Sequence, residues 1–283
     1  MTARILDGRE LAGQLRRDLG ERVGRLSVDG SEHTPRLAII RSGGSESAAM
    51  YAASLERAAR GIGIQPRLIT DEDGPLDATI DRLNADDHVA GIVIATPLPD
   101  PVEGARLVER IDPLKDVDGA TPTNAGWLAR GEPAFVPATA LAVIALLEAY
   151  GVPVAGRRAV IIGRSAVVGR PVASALVARD ATVVICHRAT RDLATETSRA
   201  EILVAAAGVP GLVGPEMVGS GAVVVDCGIN TVASGVTGDV EFATVAPIAG
   251  AITPVPGGIG PVTPMMVLRQ TVEAAERARR ASA

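Results

Sequence analysis

The stretch Gly163–Gly169 reads GRSAVVG, set between the apolar run AVII and the helix-like PVASALVA. Glycines at such a turn let backbone N–H groups approach a pyrophosphate, which also meets the N-terminus of the following helix. The spacing departs from G-x-G-x-x-G: Ser165 stands in for the middle glycine and the last glycine comes one residue late. Taken alone, a tight strand-to-helix turn without a ligand explains the pattern equally well. The end of the next apolar run says more. An NAD site places Asp or Glu there for the ribose 2′-hydroxyl, whereas this chain has His187, Arg188 and Thr190. Arg188, with Arg164, suits a 2′-phosphate through the fork geometry of guanidinium. The cofactor reading is therefore NADP rather than NAD, against a solvated surface arginine as the alternative.

Other reactive residue types are scarce. Tyr51, one of only 2 tyrosines, stands on the helix-like stretch MYAASLERA, with Leu55 four residues on. Lys115 is the sole lysine, so chemistry needing a side-chain amine has one candidate. Cys186 and Cys227 sit in apolar runs and read as buried reduced thiols, and no zinc spacing involves them.

The elements that must position these residues alternate. Asp7 caps a helix with Leu11, Leu15, Leu19 and Val23 on one face. Strand RLAIIR, a helix over Ser45–Arg60, strand PRLIT, a helix over Leu76–Asn84, strand GIVIATPLP and a helix over Val102–Arg110 follow. The stretch 111–135 reads as loop around LKDVDGATPTN. After a helix over Thr139–Tyr150 come strand, glycine turn, helix and strand, then two further buried strands, and finally a proline–glycine loop running into a basic helix. Strands alternating with helices predict right-handed βαβ units and parallel sheets, so the fold class is α/β.

At 283 residues and 47% hydrophobic the chain can bury two modest cores. A net charge of −5 and 2% aromatics argue against nucleic acid and against an anionic membrane as partners. The start MTARILDGRELAG shows no apolar leader and no run reaches membrane-spanning length, so the expected location is cytoplasmic.

The runs PLP, LKDVDG, GRSAVVGRP, HRAT and TPVPGGIGPVT, in this order over nearly the whole chain, resemble the bifunctional methylenetetrahydrofolate dehydrogenase/methenyltetrahydrofolate cyclohydrolase family. The resemblance implies a cytosolic homodimer of two-domain chains. Residues 1–138 plus 265–283 would form an N-terminal βαβ domain for a tetrahydrofolate derivative, and 139–264 a Rossmann-like NADP domain, with the active site in the cleft. It also implies roles for individual residues. Tyr51 would stack on the folate rings and Asp118 would bind the pterin, both counted as catalytic. Pro256, Gly257 and Gly258 would cover the substrate. Gly163, Arg164 and Ser165 would form the phosphate turn, Arg188 would hold the 2′-phosphate, and the Ile229 backbone would meet the nicotinamide.

Against that pattern, Leu55 stands where the family carries its hydrolytic lysine, and Ala95 where it carries a glutamine. Ala120 and Thr121 replace a phenylalanine and a histidine, and Ala138–Ala142 replaces a Cys-Thr-Pro-x-Gly run. Arg57, six residues past Tyr51, points elsewhere on a helix. Hydride transfer needs alignment, whereas hydrolysis needs protons moved. The expectation is an NADP-dependent dehydrogenase with weak or lost cyclohydrolase activity. Its rivals are a bifunctional enzyme working through Asp118 and water, a dehydrogenase repurposed for another one-carbon carrier, and a non-catalytic homologue that binds folate or nucleotide.

Overall fold

A computed structural model of the chain describes residues 3–27, 34–43, 45–233 and 235–282. The chain opens with a two-residue strand, β1 (Arg4–Ile5), and a long helix, α1 (Gly8–Ser27). Then come β2 (Arg36–Ile40), α2 (Glu46–Arg60), β3 (Gln65–Ile69), α3 (Leu76–Ala85), β4 (Val89–Ile94), α4 (Pro101–Glu109) and α5 (Pro122–Arg130). The second half runs α6 (Ala138–Ala149), β5 (Arg158–Ile162), α7 (Gly169–Val177), β6 (Thr182–Cys186), α8 (Leu193–Thr197), β7 (Ile202–Ala205) and β8 (Val223–Asp226). It closes with β9 (Asn230–Val232), β10 (Gly235–Thr237), α9 (Phe242–Val245), β11 (Ala251–Ile252) and α10 (Ile259–Ser282).

Contacts divide the chain into two compact units: Met1–Ala12 with Pro137–Thr263, and Gly13–Val136 with Pro264–Ala283. The first holds a six-stranded, all-parallel sheet in the order β1-β11-β8-β7-β5-β6. Its strands are near-continuous Val, Ile and Ala runs, as expected where helices cover both faces. Val160, Ile162, Leu203, Val224 and Ile252 are buried in one cluster on one side. Residues 3–12 fall in this unit, whereas the family resemblance places them with the other. They group here because β1 pairs with β11 and because Tyr150 clasps the turn before α1. The Tyr150 hydroxyl accepts the Asp7 N–H at 2.8 Å and donates to the Asp7 carbonyl at 3.2 Å. The Arg4 guanidinium lies 4.9 Å from the Tyr150 ring centroid.

The second unit holds a three-stranded parallel sheet in the order β3-β2-β4. Ile40, Ile69, Ile80, Ile92 and Leu107 form its core on one side. Ser45 caps α2, and its hydroxyl accepts the Ala48 N–H. The stretch 111–135, read from the sequence as loop, contains helix α5. Thr121 caps it, Pro122 occupies its first position and Gly131 closes it in the left-handed conformation. Nine residues with few apolar positions give almost no periodic signal, although the caps were visible. Within this unit α10 is tied down by buried Gln270, whose side-chain amide donates to the Val117 and Val136 carbonyls and whose oxygen accepts the Val136 N–H.

Candidate active site

The phosphate turn leaves the carboxyl end of β5. β6 lies on one side of β5 and β7 on the other, so the chain reverses its winding direction there. Two glycines shape the turn. Gly163 has φ 126°, and a Cβ there would overlap the Ala206 carbonyl; a Cβ at Gly169 would overlap the carbonyl of Gly163. The Ser165 hydroxyl accepts the Val168 N–H at 3.0 Å and that of Gly169 at 3.4 Å, pinning the entry to α7. Among the described residues, the N–H groups of Arg164, Ser165, Ala166 and Val167 make no internal hydrogen bond. Four such donors at a helix N-terminus fit a phosphate group.

Arg188 follows β6 in a tight turn. The His187 N–H donates to Thr190 Oγ1 at 2.8 Å and the Ala189 N–H to His187 Nδ1 at 3.2 Å, which leaves Arg188 exposed. Among the described residues neither Arg164 nor Arg188 forms an ion pair, so both guanidinium groups can serve a phosphate. Beyond β8, the Ile229 side chain is 70% exposed. Pro256, Gly257 and Gly258 lie in the loop before α10. The Gly257 carbonyl accepts the Gly8 N–H at 2.8 Å, and Gly258 packs so closely on Gly8 that a Cβ at Gly8 would overlap its carbonyl.

In the other unit, Tyr51 lies half-buried on α2 near Asp118. Burial, with the Asp118 carboxylate adding to it, pushes the Tyr51 phenol well above its ordinary value, so the ring is neutral at physiological pH. The two aspartates of DVDG divide their work. Asp116 is buried and accepts the N–H groups of Ala120 at 3.0 Å and Thr121 at 2.8 Å and the Asn124 amide at 2.9 Å, which fixes the loop. Asp118 stays half-exposed beside Tyr51. Neither Asp116 nor Gln270 was singled out from the sequence. Gln270 acts across 153 residues, which no local motif encodes.

The altered positions are equally plain. Leu55 is 0% exposed and continues the buried strip Ala48, Ala52, Ala59 of α2. Ala95, at the end of β4, is also 0% exposed. Arg57 is exposed, Thr121 serves as the cap of α5, and Ala138, Ala140 and Ala142 are buried in α6. Lys115 Nζ donates to the carbonyls of Leu83 (3.0 Å), Asn84 (2.7 Å) and Asp86 (2.8 Å), so its three protons cap the C-terminal end of α3. Among the described residues, no group of three His, Cys, Asp or Glu could hold a metal ion. No helix among them is long and apolar enough to cross a membrane.

Comparison with known proteins identifies both units. Residues 137–279 match the tetrahydrofolate dehydrogenase/cyclohydrolase NAD(P)-binding domain, and residues 6–118 match the catalytic domain of the same family. The bifunctional protein FolD of Parafrankia sp. is 49% identical over 274 residues, 96% of this chain and 99% of that protein. The bifunctional enzyme FolD structure from Campylobacter jejuni superposes with a TM-score of 0.92 at 40% identity, covering 96% of this chain and 98% of its own. That of Trypanosoma brucei, complexed with NADP cofactor and inhibitor, gives 0.93 at 36% identity over 99% of both chains. The chain is a member of the tetrahydrofolate dehydrogenase/cyclohydrolase family.

Proposed function

We propose that this chain is an NADP-dependent methylenetetrahydrofolate dehydrogenase that releases its methenyl product, the onward hydrolysis being weak or lost. Bound NADP supplies the hydride acceptor. The Gly163–Gly169 turn binds the pyrophosphate through the unengaged N–H groups of Arg164 and Ser165, Gly163 allowing the close turn, and Arg188 binds the 2′-phosphate. The backbone at Ile229 borders the nicotinamide. Pro256, Gly257 and Gly258 cover the substrate.

Tyr51 offers the folate an uncharged aromatic face, because its phenol stays protonated. Asp118 accepts paired N–H donors from the pterin edge. Oxidation at the methylene carbon leaves a cation on the folate. The step needs orientation but no acid or base. Hydrolysis of that cation does need proton transfer, which a general acid–base group accelerates by roughly 10²–10⁴-fold.

One observation carries the reading: the chain's only side-chain amine, Lys115, is spent on three helix-end carbonyls, while the position four residues past Tyr51 holds a fully buried leucine. The test is to supply methylenetetrahydrofolate and NADP and follow the methenyl chromophore. Accumulation of the methenyl form is expected. A purified sample that makes formyl product as fast as methenyl would overturn the reading.

The proposal includes a cytoplasmic homodimer. Supporting it, β6 is an open sheet edge with Ile185 exposed and Val183 and Val184 half-exposed, a surface a second copy can pair with. Sedimentation of the intact chain should give a dimer mass, and Val183→Pro, at a position whose N–H faces the open edge because those of Thr182 and Val184 face β5, should reduce it to the monomer.

A further inference from the structure

Two buried carboxylates lie in the six-stranded unit outside the site residues named so far. Asp239 is 0% exposed. Its Oδ2 accepts the backbone N–H groups of Ala207 at 2.6 Å and Gly208 at 2.9 Å, and its Oδ1 accepts that of Val209 at 3.0 Å and the Asn230 amide at 2.8 Å. Four donors on two oxygens use the whole acceptor capacity of the group. Asp226, the last residue of β8, accepts the N–H groups of Gly228 at 2.8 Å, Asp239 at 3.0 Å and Val240 at 2.9 Å, and gives its own N–H to Thr253 Oγ1 at 2.7 Å. Two glycines make room for the pair. A Cβ at Gly228 would overlap the Asp239 carboxylate, and one at Gly238 that of Asp226.

Three segments are thereby locked together: 207–209 after β7, 227–230 after β8, and 238–240 after the β9–β10 hairpin. The first two leave the sheet at the carboxyl ends of β7 and β8, the same edge from which the phosphate turn leaves β5. Ligands bind along that edge in open α/β sheets. Burying a carboxylate is costly, and apolar residues supply rigidity more cheaply. Three successive backbone N–H groups converging on one point, however, bond most strongly to a charged acceptor. The exposed Ile229 sits inside the middle locked segment, one residue before Asn230.

We propose that Asp239 is a positioning residue for hydride transfer: through residues 207–209 and Asn230 it fixes the two loops beside the nicotinamide half of the cofactor, while the phosphate turn and Arg188 hold the other half independently. The proposal rests on the NADP reading above.

Asn230→Ala removes one of the four donors and leaves the three backbone bonds. Asp239→Asn leaves one acceptor oxygen and turns an NH₂ group toward two donors. Titration should show Asn230→Ala binding NADP and the fragment 2′,5′-ADP within about threefold of the parent, since the phosphate contacts are remote from the change. Its kcat should fall roughly 10- to 100-fold from misalignment, and the isotope effect with deuterated methylene substrate should rise as the hydride step becomes limiting. Asp239→Asn should move further in the same directions. In its cofactor-free form, hydrogen exchange should show the 207–209 amides losing protection while those of β5 keep theirs. If Asp239→Asn does not fold, Asn230→Ala decides. Unchanged kcat in Asn230→Ala, or equal weakening of NADP and 2′,5′-ADP with kcat preserved, overturns the proposal. A parent chain that binds neither nucleotide overturns the cofactor reading beneath it, and shows this before any variant is made.

Discussion

The two units treat their ligand-facing ends differently. In the six-stranded unit the turn after β5 keeps, among the described residues, unbonded N–H groups at a helix N-terminus, and its two glycines tolerate no side chain. In the three-stranded unit the groups that would hold a flat heterocycle remain, Tyr51 and Asp118, while the positions that would move protons are occupied by Leu55 and Ala95, both fully buried. The contrast separates two demands that a bifunctional site normally meets together. Binding and alignment need shape and hydrogen bonds, whereas hydrolysis needs a titrating group at one place. A chain can lose the second and leave the first untouched.

The most direct way to break the contrast is to restore what is missing. Leu55→Lys combined with Ala95→Gln should raise methenyl hydrolysis by roughly 10²–10⁴-fold with hydride transfer retained, read as faster loss of the methenyl chromophore. The same variant should melt at a lower temperature, because an amine replaces a core leucine. Asp118→Ala tests the retained half. It should lower kcat/KM for the folate substrate by about 10²-fold, the value of two hydrogen bonds to a charged group, with NADP affinity unchanged by titration. Arg188→Ala tests the other unit: NADP affinity should fall roughly 10- to 100-fold and NAD affinity should not.

The smallest effect is on stability and differs in sign between the units. Hydrogen bonding to Arg22 holds the Glu276 carboxyl below its ordinary 4.5, so the stability it lends is complete above that value and is lost as pH falls through the lowered one. Burial raises the Asp226 carboxyl above 3.8, so its contribution runs the other way, and stability is lost as pH rises from 3.8 through the raised value. Both partners of the Arg22–Glu276 pair are about a quarter exposed or more, so Glu276→Gln should remove less than about 1 kcal/mol at pH 7. Denaturant melts at pH 7 and pH 4 should show that difference shrinking with acid.

Strands, crossover helices and the phosphate turn were legible in the sequence because their signals are local: apolar runs, caps and a glycine beside a strand. Ser45 capping α2 and Asp7 before α1 are cases in point. Helix α5 was missed although Thr121, Pro122 and Gly131 announced both its ends, because its faces lack an apolar rhythm. Strand β1 escaped because two residues carry no period, and it exists only through its pairing with β11. Of the candidate site, the residues at strand ends could be placed in the fold from the sequence. The bonding of Gln270, Asp116, Asp226 and Asp239 could not be read in this way, since a buried polar side chain is defined by partners distant in sequence.

The clamp of Lys115 on the end of α3 has a practical side. Its ammonium is half-buried and fully engaged, and the chain has no other lysine. Reagents selective for side-chain amines should therefore find the native protein almost blank. An exposed lysine introduced by design becomes the one readily modified side-chain amine, to which a dye, a crosslinker or an isotopic methyl label can be attached with an α-amine as its competitor.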